Sequence, residues 1–149
     1  MPIDERERSR RRALIQAHYE AENAHDIERI MATFSSRAEM IYNRQSFAAP
    51  EAIRLAHGYL GFAAAAGAFT GINNVIDGEH FTEDEIVIEG RLRGTHSGEF
   101  QGFAPTGRAV ELPFVAFYRF DADGKLTSER VVMNLGSLGA APSWQPPAP

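Results

Sequence analysis

The 149-residue chain contains no cysteine. This absence excludes disulfide bonds, thiolate nucleophiles, cysteine-ligated zinc and iron–sulfur clusters. The chain also has no apolar run long enough to span a bilayer, and its first residues lack the apolar segment of a secretory signal. We therefore expect a cytoplasmic protein with no membrane partner.

Positive charge is scarce as well. The chain has 15 Lys and Arg against 20 Asp and Glu, a formal net charge of −5. Its one basic cluster, formed by Arg8 and residues 10–12, follows Glu5 and Glu7 and is typical of a solvated helical turn. Because nucleic-acid binding uses a basic face with aromatic platforms, we expect no nucleic-acid partner.

The overall composition is that of an ordinary globular domain, with 44% hydrophobic and 23% charged residues. The length fits one hydrophobic core. No repeat or linker divides the chain, so we predict a single domain over residues 1–141. The remaining residues, 142–149, are rich in proline and are predicted to form an irregular tail.

Helical periodicity dominates the first half of the chain. Apolar residues predict a first helix over 8–24 and a second, short helix capped by Asp26. Pro50 is suited to the first turn of a third helix, which is predicted to reach about Ala66 and to stop at Gly67.

Period-two alternation dominates the second half. It predicts strands over 71–77, 85–95, 108–120 and 126–135, after one earlier short strand over 38–43. Asp121 and Gly124 bound the clearest hairpin turn. Helices followed by a run of strands predict an α+β fold with an antiparallel sheet rather than a parallel one.

A specific succession of residues lies in the C-terminal half: Gly94-Thr95-His96, Gly98, Phe100, Gly102, Pro105-Thr106-Gly107-Arg108, Val110, Tyr118-Arg119-Phe120, Asp123-Gly124-Lys125-Leu126 and Glu129. This succession resembles the SnoaL-like polyketide and ester cyclases of the nuclear transport factor 2-like superfamily. The resemblance implies a cone-shaped α+β barrel, in which a curved, mostly antiparallel sheet packs on three N-terminal helices. It also implies an apolar small-molecule pocket, a homodimer, and aldol ring closure without a metal or organic cofactor.

The family places its acid/base group near the C-terminus, in a segment resembling Glu-Trp-x-x-x-Asp. Here the corresponding segment begins at Glu129, with Arg130 in the place of the Trp and Asn134 in that of the Asp. An amide side chain cannot titrate, so Asn134 cannot remove the proton that starts an aldol closure.

Strand alternation suggests which polar residues face the pocket. Gly90 and His96 share a mostly apolar face of one strand, and Arg130 and Asn134 share a face of the last strand. His96 is a candidate acid/base group or, alternatively, a residue that holds a turn. Arg130 is expected either to contact a ligand or to pair with Glu111 or Glu89.

Four further residues are candidates for substrate binding. Tyr42 and Tyr118 offer a hydroxyl to the pocket or serve only as core packing, and His18 lies on the apolar stripe of the first helix. Gly90 leaves room beneath the third helix. The five histidines show no His-x-x-x-His or His-x-His spacing, so no metal site is predicted.

The leading hypothesis is therefore an enzyme of the cyclase, isomerase or lyase type that performs cofactor-independent acid/base chemistry on an apolar oxygenated substrate. His96 would be its acid/base group, and Arg130 and Asn134 would stabilise negative charge on oxygen. The alternative is a non-catalytic small-molecule-binding or accessory domain that has lost the family's acidic residue. An epoxide hydrolase is a third possibility, but no pocket-facing strand carries the Asp residues that it needs.

Overall fold

The chain forms three helices and a single six-stranded sheet. Two helices precede the first strand, and the third helix lies between the second and third strands. The computed structural model describes residues 3–139 and 147–148, so residues 142–146 and 149 of the predicted tail lie outside the described residues. The helices are α1 (Glu5–Asn23), α2 (Ile27–Met31) and α3 (Pro50–Leu60). The strands are β1 (Phe34–Tyr42), β2 (Gln45–Ala48), β3 (Phe69–Phe81), β4 (Glu85–His96), β5 (Ala109–Phe120) and β6 (Leu126–Met133), followed by a 3₁₀ turn (Leu135–Leu138).

The sheet has the strand order β2-β1-β6-β5-β4-β3 and does not close on itself. Every neighbouring pair is antiparallel except β1 and β6, which run parallel. Register shifts interrupt three of these pairings, and such bulges bend and twist the strands that carry them. The predicted α+β fold, a curved and mostly antiparallel sheet packed on three helices, is confirmed.

The helix boundaries follow from local capping. The side chain of Asp4 accepts a hydrogen bond from the backbone N–H of Glu7 at the start of α1, and Asp26 caps α2 as predicted. α3 ends at Leu60, six residues earlier than predicted. Gly61 has a φ of 124°, and a Cβ there would collide with the carbonyl oxygen of Phe69.

The core lies between the helices and the concave face of the sheet. Ile15 of α1, Ile53 of α3 and Ile88 of β4 are almost completely excluded from solvent. The prediction that the alternate residues of β4 from Ile86 to His96 face inward is confirmed, with only Gly94 partly exposed. Within the described residues, no helix combines the length and apolar character needed to cross a bilayer.

β2 is a short edge strand that the sequence pattern did not predict. Asn43 adopts a positive φ of 54°, and the reversal there pairs Gln45–Ala48 with the end of β1. Asn tolerates this conformation better than most residues. The strand matters because it forms one wall of the groove described below.

Candidate functional site

Four ionisable side chains meet in the interior between the helices and the sheet. His18 and Glu22 belong to α1, His57 to α3 and Glu129 to β6, and each is less than 5% exposed. We refer to these four residues as the buried cluster. Lone buried charges are costly, so a set of four at one point is an unusual core.

Helical spacing explains how α1 supplies two members of the cluster. His18 and Glu22 are four residues apart, which places both on the same face of the helix. Ile15 and Tyr19 lie on this buried face too. His57 reaches the same point from α3, where its Nδ1 donates a hydrogen bond to the carbonyl oxygen of Ile53, 2.8 Å away.

A bulge near the start of β6 decides which residues of that strand face inward. Leu126 and Glu129 are both buried although they are three residues apart, whereas strict alternation would put them on opposite faces. Arg119 of β5 pairs with Ser128, but Phe120 pairs with Leu126, so Thr127 is the extra residue. Beyond the bulge, the inward face is the one that carries Glu129.

The same bulge shows that the inward orientation predicted for Arg130 and Asn134 is wrong. Both side chains are exposed. Arg130 stacks over Phe117, with its guanidinium carbon 4.4 Å from the ring centroid, and so it neither pairs with Glu111 or Glu89 nor reaches the interior. Asn134 caps the final 3₁₀ turn and lines an open groove of about 550 Å³ on the surface.

The distances within the buried cluster are short. Oε1 of Glu22 lies 3.4 Å from Nε2 of His18 and 3.2 Å from Nε2 of His57. Oε2 of Glu129 lies 3.6 Å from Nε2 of His18 and 3.8 Å from Nε2 of His57. Each carboxylate thus faces both imidazoles.

The surrounding hydrogen bonds fix the tautomer of both histidines. Nδ1 of His57 must donate, because its partner is a carbonyl oxygen. Nδ1 of His18 lies 2.9 Å from the hydroxyl of Thr33, whose own proton is donated to the carbonyl of Ile30, so this Nδ1 donates as well. Both Nε2 atoms are therefore the positions that gain or lose a proton, and both point at carboxylates.

The pKa values follow from burial and charge acting in opposite directions. Burial alone would lower the pKa of His18, but the carboxylates of Glu22 and Glu129 raise it to about 10. The pKa of His57 is also raised, because its contacts with Glu22 and Glu129 outweigh burial. Burial would raise the pKa of Glu22, but the two imidazoles lower it to about 2. Without another ligand, these shifts favour charged histidines facing the charged carboxylate of Glu22.

Polar side chains from two strands and α1 surround the cluster. Nδ2 of Asn74 donates to Oε2 of Glu22 at 2.7 Å. The hydroxyls of Tyr19 and Tyr118 are 2.6 Å apart, and that of Tyr118 is 3.4 Å from Oε1 of Glu129. Burial raises the pKa of both tyrosines well above 10, so they remain protonated donors at neutral pH.

Three atoms of the cluster lack a hydrogen bond: Nε2 of His18, Nε2 of His57 and Oε2 of Glu129. Beside them lies a cavity of about 10 Å³, roughly the space of one water molecule. Its lining includes Tyr19, Glu22, Tyr42, Phe62, Asn74, Phe114, Tyr118, Glu129 and Val131. The lining thus combines apolar side chains with hydroxyls, one amide and two carboxylates.

A chain of spaces leads from this cavity toward the surface. Tyr42 separates it from a second small cavity, also of about 10 Å³, which is bounded by Met40 and Phe100. That cavity adjoins an open groove of about 460 Å³ between β2 and α3, which we call the entrance groove. Tyr59 borders both spaces, and its hydroxyl donates to the carboxylate of Glu99 at 2.6 Å.

The structure brings together three of the residues that the sequence suggested. His18 is a member of the cluster, and Tyr42 and Tyr118 line its cavity. Gly90 does not: it lies beneath the ring of Phe114, where an added Cβ would be 2.7 Å from Cζ. Gly90 lines the open surface groove together with Asn134, and its role in substrate binding stays a prediction.

His96 is buried, but it lies apart from the cluster cavity. Its ring packs against Phe69 with centroids 5.4 Å apart, and its Nδ1 is 3.3 Å from the hydroxyl of Thr106. Its catalytic role stays a prediction, as do those of Arg130 and Asn134. Sequence reasoning gave no role to Glu22, His57 or Glu129, although the His18-x-x-x-Glu22 spacing was a readable signal.

Comparison with known proteins supports one family. The family model for the SnoaL-like domain matches residues 15–129, a span that contains all four cluster residues. A search of curated protein sequences finds no significant match.

Solved structures share the fold. A provisionally assigned SnoaL-like polyketide cyclase from Jannaschia sp. CCS1 is 21% identical, with a TM-score of 0.75 over 90% of this chain and 94% of the other. AclR from Streptomyces galilaeus, provisionally described as a hydroxylase, is 26% identical, with a TM-score of 0.71 over 91% and 88%. A protein with a ketosteroid isomerase-like fold from Catenulispora acidiphila, solved with trimethylamine, is 13% identical, with a TM-score of 0.69 over 84% and 88%.

Proposed function

Because this chain belongs to the SnoaL-like domain family, we propose that it is an enzyme that transforms a small oxygenated organic molecule by proton transfer. The reaction would be of the cyclase, isomerase or lyase type, and the buried cluster would be its reactive centre. A homodimer and a cytoplasmic location stay predictions from the sequence.

The observation that carries this proposal is the convergence of four ionisable groups at one buried point. A purely structural core has no need of them, because replacing buried ion pairs by packed apolar residues is often neutral or stabilising. Here three polar atoms also lack hydrogen bonds, which adds to the cost of burial. Perturbed, buried titratable groups beside a cavity are typical of functional sites.

The geometry suits a proton-transfer role for Glu129. Glu129 lines the cavity, and its Oε2, which faces the two imidazoles without a hydrogen bond, could take a proton from a substrate there. Its Oε1 faces the hydroxyl of Tyr118, which is linked to that of Tyr19. These two hydroxyls could stabilise an enolate oxygen, because donors fixed in a dry site strengthen as negative charge develops.

The walls of the cavity indicate the substrate class. Phe62, Phe114 and Val131 form its apolar side, which fits a hydrocarbon skeleton that carries a carbonyl or hydroxyl group. The cavity holds only about one water molecule. A substrate must therefore displace side chains on its way in, and Tyr42 and Tyr59 separate the entrance groove from the cluster.

A deuterium-exchange assay tests the proposal. Small cyclic ketones and enones would be incubated with the protein in D₂O, and incorporation at the carbon next to the carbonyl would be followed by NMR. We expect exchange with the wild-type protein and a loss of roughly 100-fold or more with Glu129→Gln, the usual range for a positioned acid/base group. Circular dichroism would check that the variant is folded.

The matched control is Glu89→Gln, which removes an exposed carboxylate that pairs with His80 on the surface. It should leave exchange unchanged. Equal rates for the wild-type protein and Glu129→Gln, or no exchange with any ketone of the panel, would contradict the proposal. The accessory-domain alternative rested on the missing acid at Asn134, and it loses this support because two other carboxylates occupy the interior.

A further inference from the structure

The three cluster atoms without hydrogen bonds face a common point together with one carboxylate oxygen of Glu22. The four donor atoms, one from each residue, lie within 4.8 Å of one another. We propose that the buried cluster is a binding site for one divalent transition-metal cation of the Zn²⁺ class. Its ligands would be Nε2 of His18, Nε2 of His57 and one carboxylate oxygen each from Glu22 and Glu129.

The histidines are arranged as metal ligands usually are. A ligating imidazole almost always donates its other N–H to a carbonyl, carboxylate or water, which fixes the tautomer and aims the free nitrogen at the cation. Nδ1 of His57 donates to the carbonyl of Ile53, and Nδ1 of His18 donates to the hydroxyl of Thr33. Both Nε2 atoms are left as potential ligands.

The spacing of the donor atoms fits a tetrahedral site. Bonds of about 2.0–2.1 Å to a tetrahedral cation separate neighbouring ligand atoms by about 3.3–3.4 Å. The four nitrogen-to-oxygen distances are 3.2, 3.4, 3.6 and 3.8 Å. These four distances therefore need to change by only a few tenths of an ångström, while the nitrogen-to-nitrogen and oxygen-to-oxygen distances, which do not exceed 4.8 Å, would shorten as the ligands close around a cation.

Charge balance favours the same conclusion. Two neutral imidazoles and two carboxylates carry a charge of minus two, which a divalent cation cancels in a region where an uncompensated charge is costly. Without a cation, the same neutrality requires two protons on the cluster. Binding is thus an exchange in which one cation enters and two protons leave.

The carboxylates also have the supporting contacts that a metal site needs. Asn74 holds Oε2 of Glu22 at 2.7 Å and leaves Oε1 directed toward the histidines. Tyr118 faces Oε1 of Glu129 and leaves Oε2 directed toward them. Two nitrogen and two oxygen ligands in tetrahedral array suit Zn²⁺ and Co²⁺ better than Mg²⁺ or Ca²⁺, which prefer oxygen ligands.

Metal binding does not require that the chain be an enzyme. Four protein ligands would fill the tetrahedral coordination sphere, as in structural zinc sites. If the proposed proton transfer also takes place here, the cation would occupy the groups that carry the protons. The metal-loaded protein should then be more stable and less active than the metal-free protein.

The test begins with the wild-type chain produced in minimal medium supplemented with Zn²⁺ or Co²⁺, so that the buried site is loaded as the protein folds. After gel filtration, metal content is measured by inductively coupled plasma mass spectrometry, and the Co²⁺ form by visible absorption. We expect one retained ion per chain, the intense spectrum of tetrahedral Co²⁺, and a higher melting temperature than after chelation. No retained ion, or the weak spectrum of octahedral Co²⁺, would overturn the proposal.

Variants locate the ion. Glu22→Gln and His57→Gln should lose it, and Asn74→Ala, which removes only a supporting contact, should weaken retention roughly 10- to 100-fold. His80→Gln is the control, because His80 and Glu89 form an exposed pair that could bind metal unspecifically. Loss of the ion in His80→Gln, or full retention in folded cluster variants, would refute the site. Wild-type protein that retains no ion after growth with Zn²⁺ or Co²⁺ but still exchanges deuterium would refute the metal site and leave the proposed function standing.

Discussion

Removing one charge from the buried cluster should cost far more stability than removing a charge from the surface. In the chelated protein, Glu22→Gln leaves His18 and His57 facing the single carboxylate of Glu129. Breaking a buried ion pair typically costs about 3–5 kcal/mol because the remaining charge is uncompensated. The pKa of Glu22, lowered from 4.5 to about 2, corresponds to about 3 kcal/mol at 1.36 kcal/mol for each pKa unit.

The double variant Glu22→Gln/His57→Gln provides the sharper measurement. It removes one charge of each sign, so that His18 and Glu129 remain as a balanced pair. We expect its loss of unfolding free energy to be about 1–3 kcal/mol smaller than the sum of the two single losses. Urea unfolding at pH 7, followed by far-ultraviolet circular dichroism, gives all three values.

A second double-mutant cycle, on an exposed histidine–glutamate pair, is the control for the buried one. Nε2 of His80 and Oε2 of Glu89 are 2.7 Å apart, closer than any pair in the cluster, but their side chains are 60% and 57% exposed. Their coupling energy should stay below about 1 kcal/mol because water screens it. If the buried coupling is no larger than this surface coupling, the cluster groups are not charged partners and the electrostatic reasoning fails.

Two further predictions concern pH and packing. For the chelated protein, the folded-state pKa is about 10 for His18 and about 2 for Glu22, so the cluster should contribute its full stability only at roughly pH 4.5–6.5. As pH rises toward 10, the contribution is lost because the folded state holds a proton that the unfolded state has already released. As pH falls toward 2, it is lost because the carboxyl group is protonated first in the unfolded state. Unfolding free energy that stays constant from pH 6.5 to 9 would contradict this sign. Gly90→Ala should destabilise by about 1–3 kcal/mol because its Cβ would meet the ring of Phe114 and the carbonyl oxygen of Val75. Gly78→Ala should have little effect in the same thermal melt, because its Cβ would meet only the exposed side-chain ends of Glu89 and His80.

The fold was predictable because its periodicities are local. Asp26, Pro50 and the Asp121–Gly124 turn act through their own backbone neighbourhood, and each marks the boundary that its residue type favours. The end of α3 was misjudged because two glycines were available as stops. Both glycines are closely approached by backbone atoms, but only Gly61 adopts a positive φ, of 124°, at the point where the helix ends.

The site was less predictable because its members come from three separate elements. Helical spacing could have paired His18 with Glu22, but no local pattern indicates that His57 of α3 and Glu129 of β6 meet them. Searching for His-x-x-x-His spacing overlooked the equivalent arrangement with a carboxylate at the fourth position. The two glutamates were also not expected in the core, because Glu is almost never fully buried unless it is paired.

The bulge at Thr127 determines which side chains of β6 face the interior. Uninterrupted alternation from Leu126 would have placed Arg130 and Asn134 inside and Glu129 outside, which is the arrangement expected from the sequence. One extra residue reverses the strand's faces. It moves a carboxylate into the interior opposite two imidazoles and sends the guanidinium to the surface. Bulges are frequent next to active sites because they redirect a side chain in this way, so under the proposed function the acid that the C-terminal segment lacks at Asn134 would be supplied five residues earlier, by Glu129.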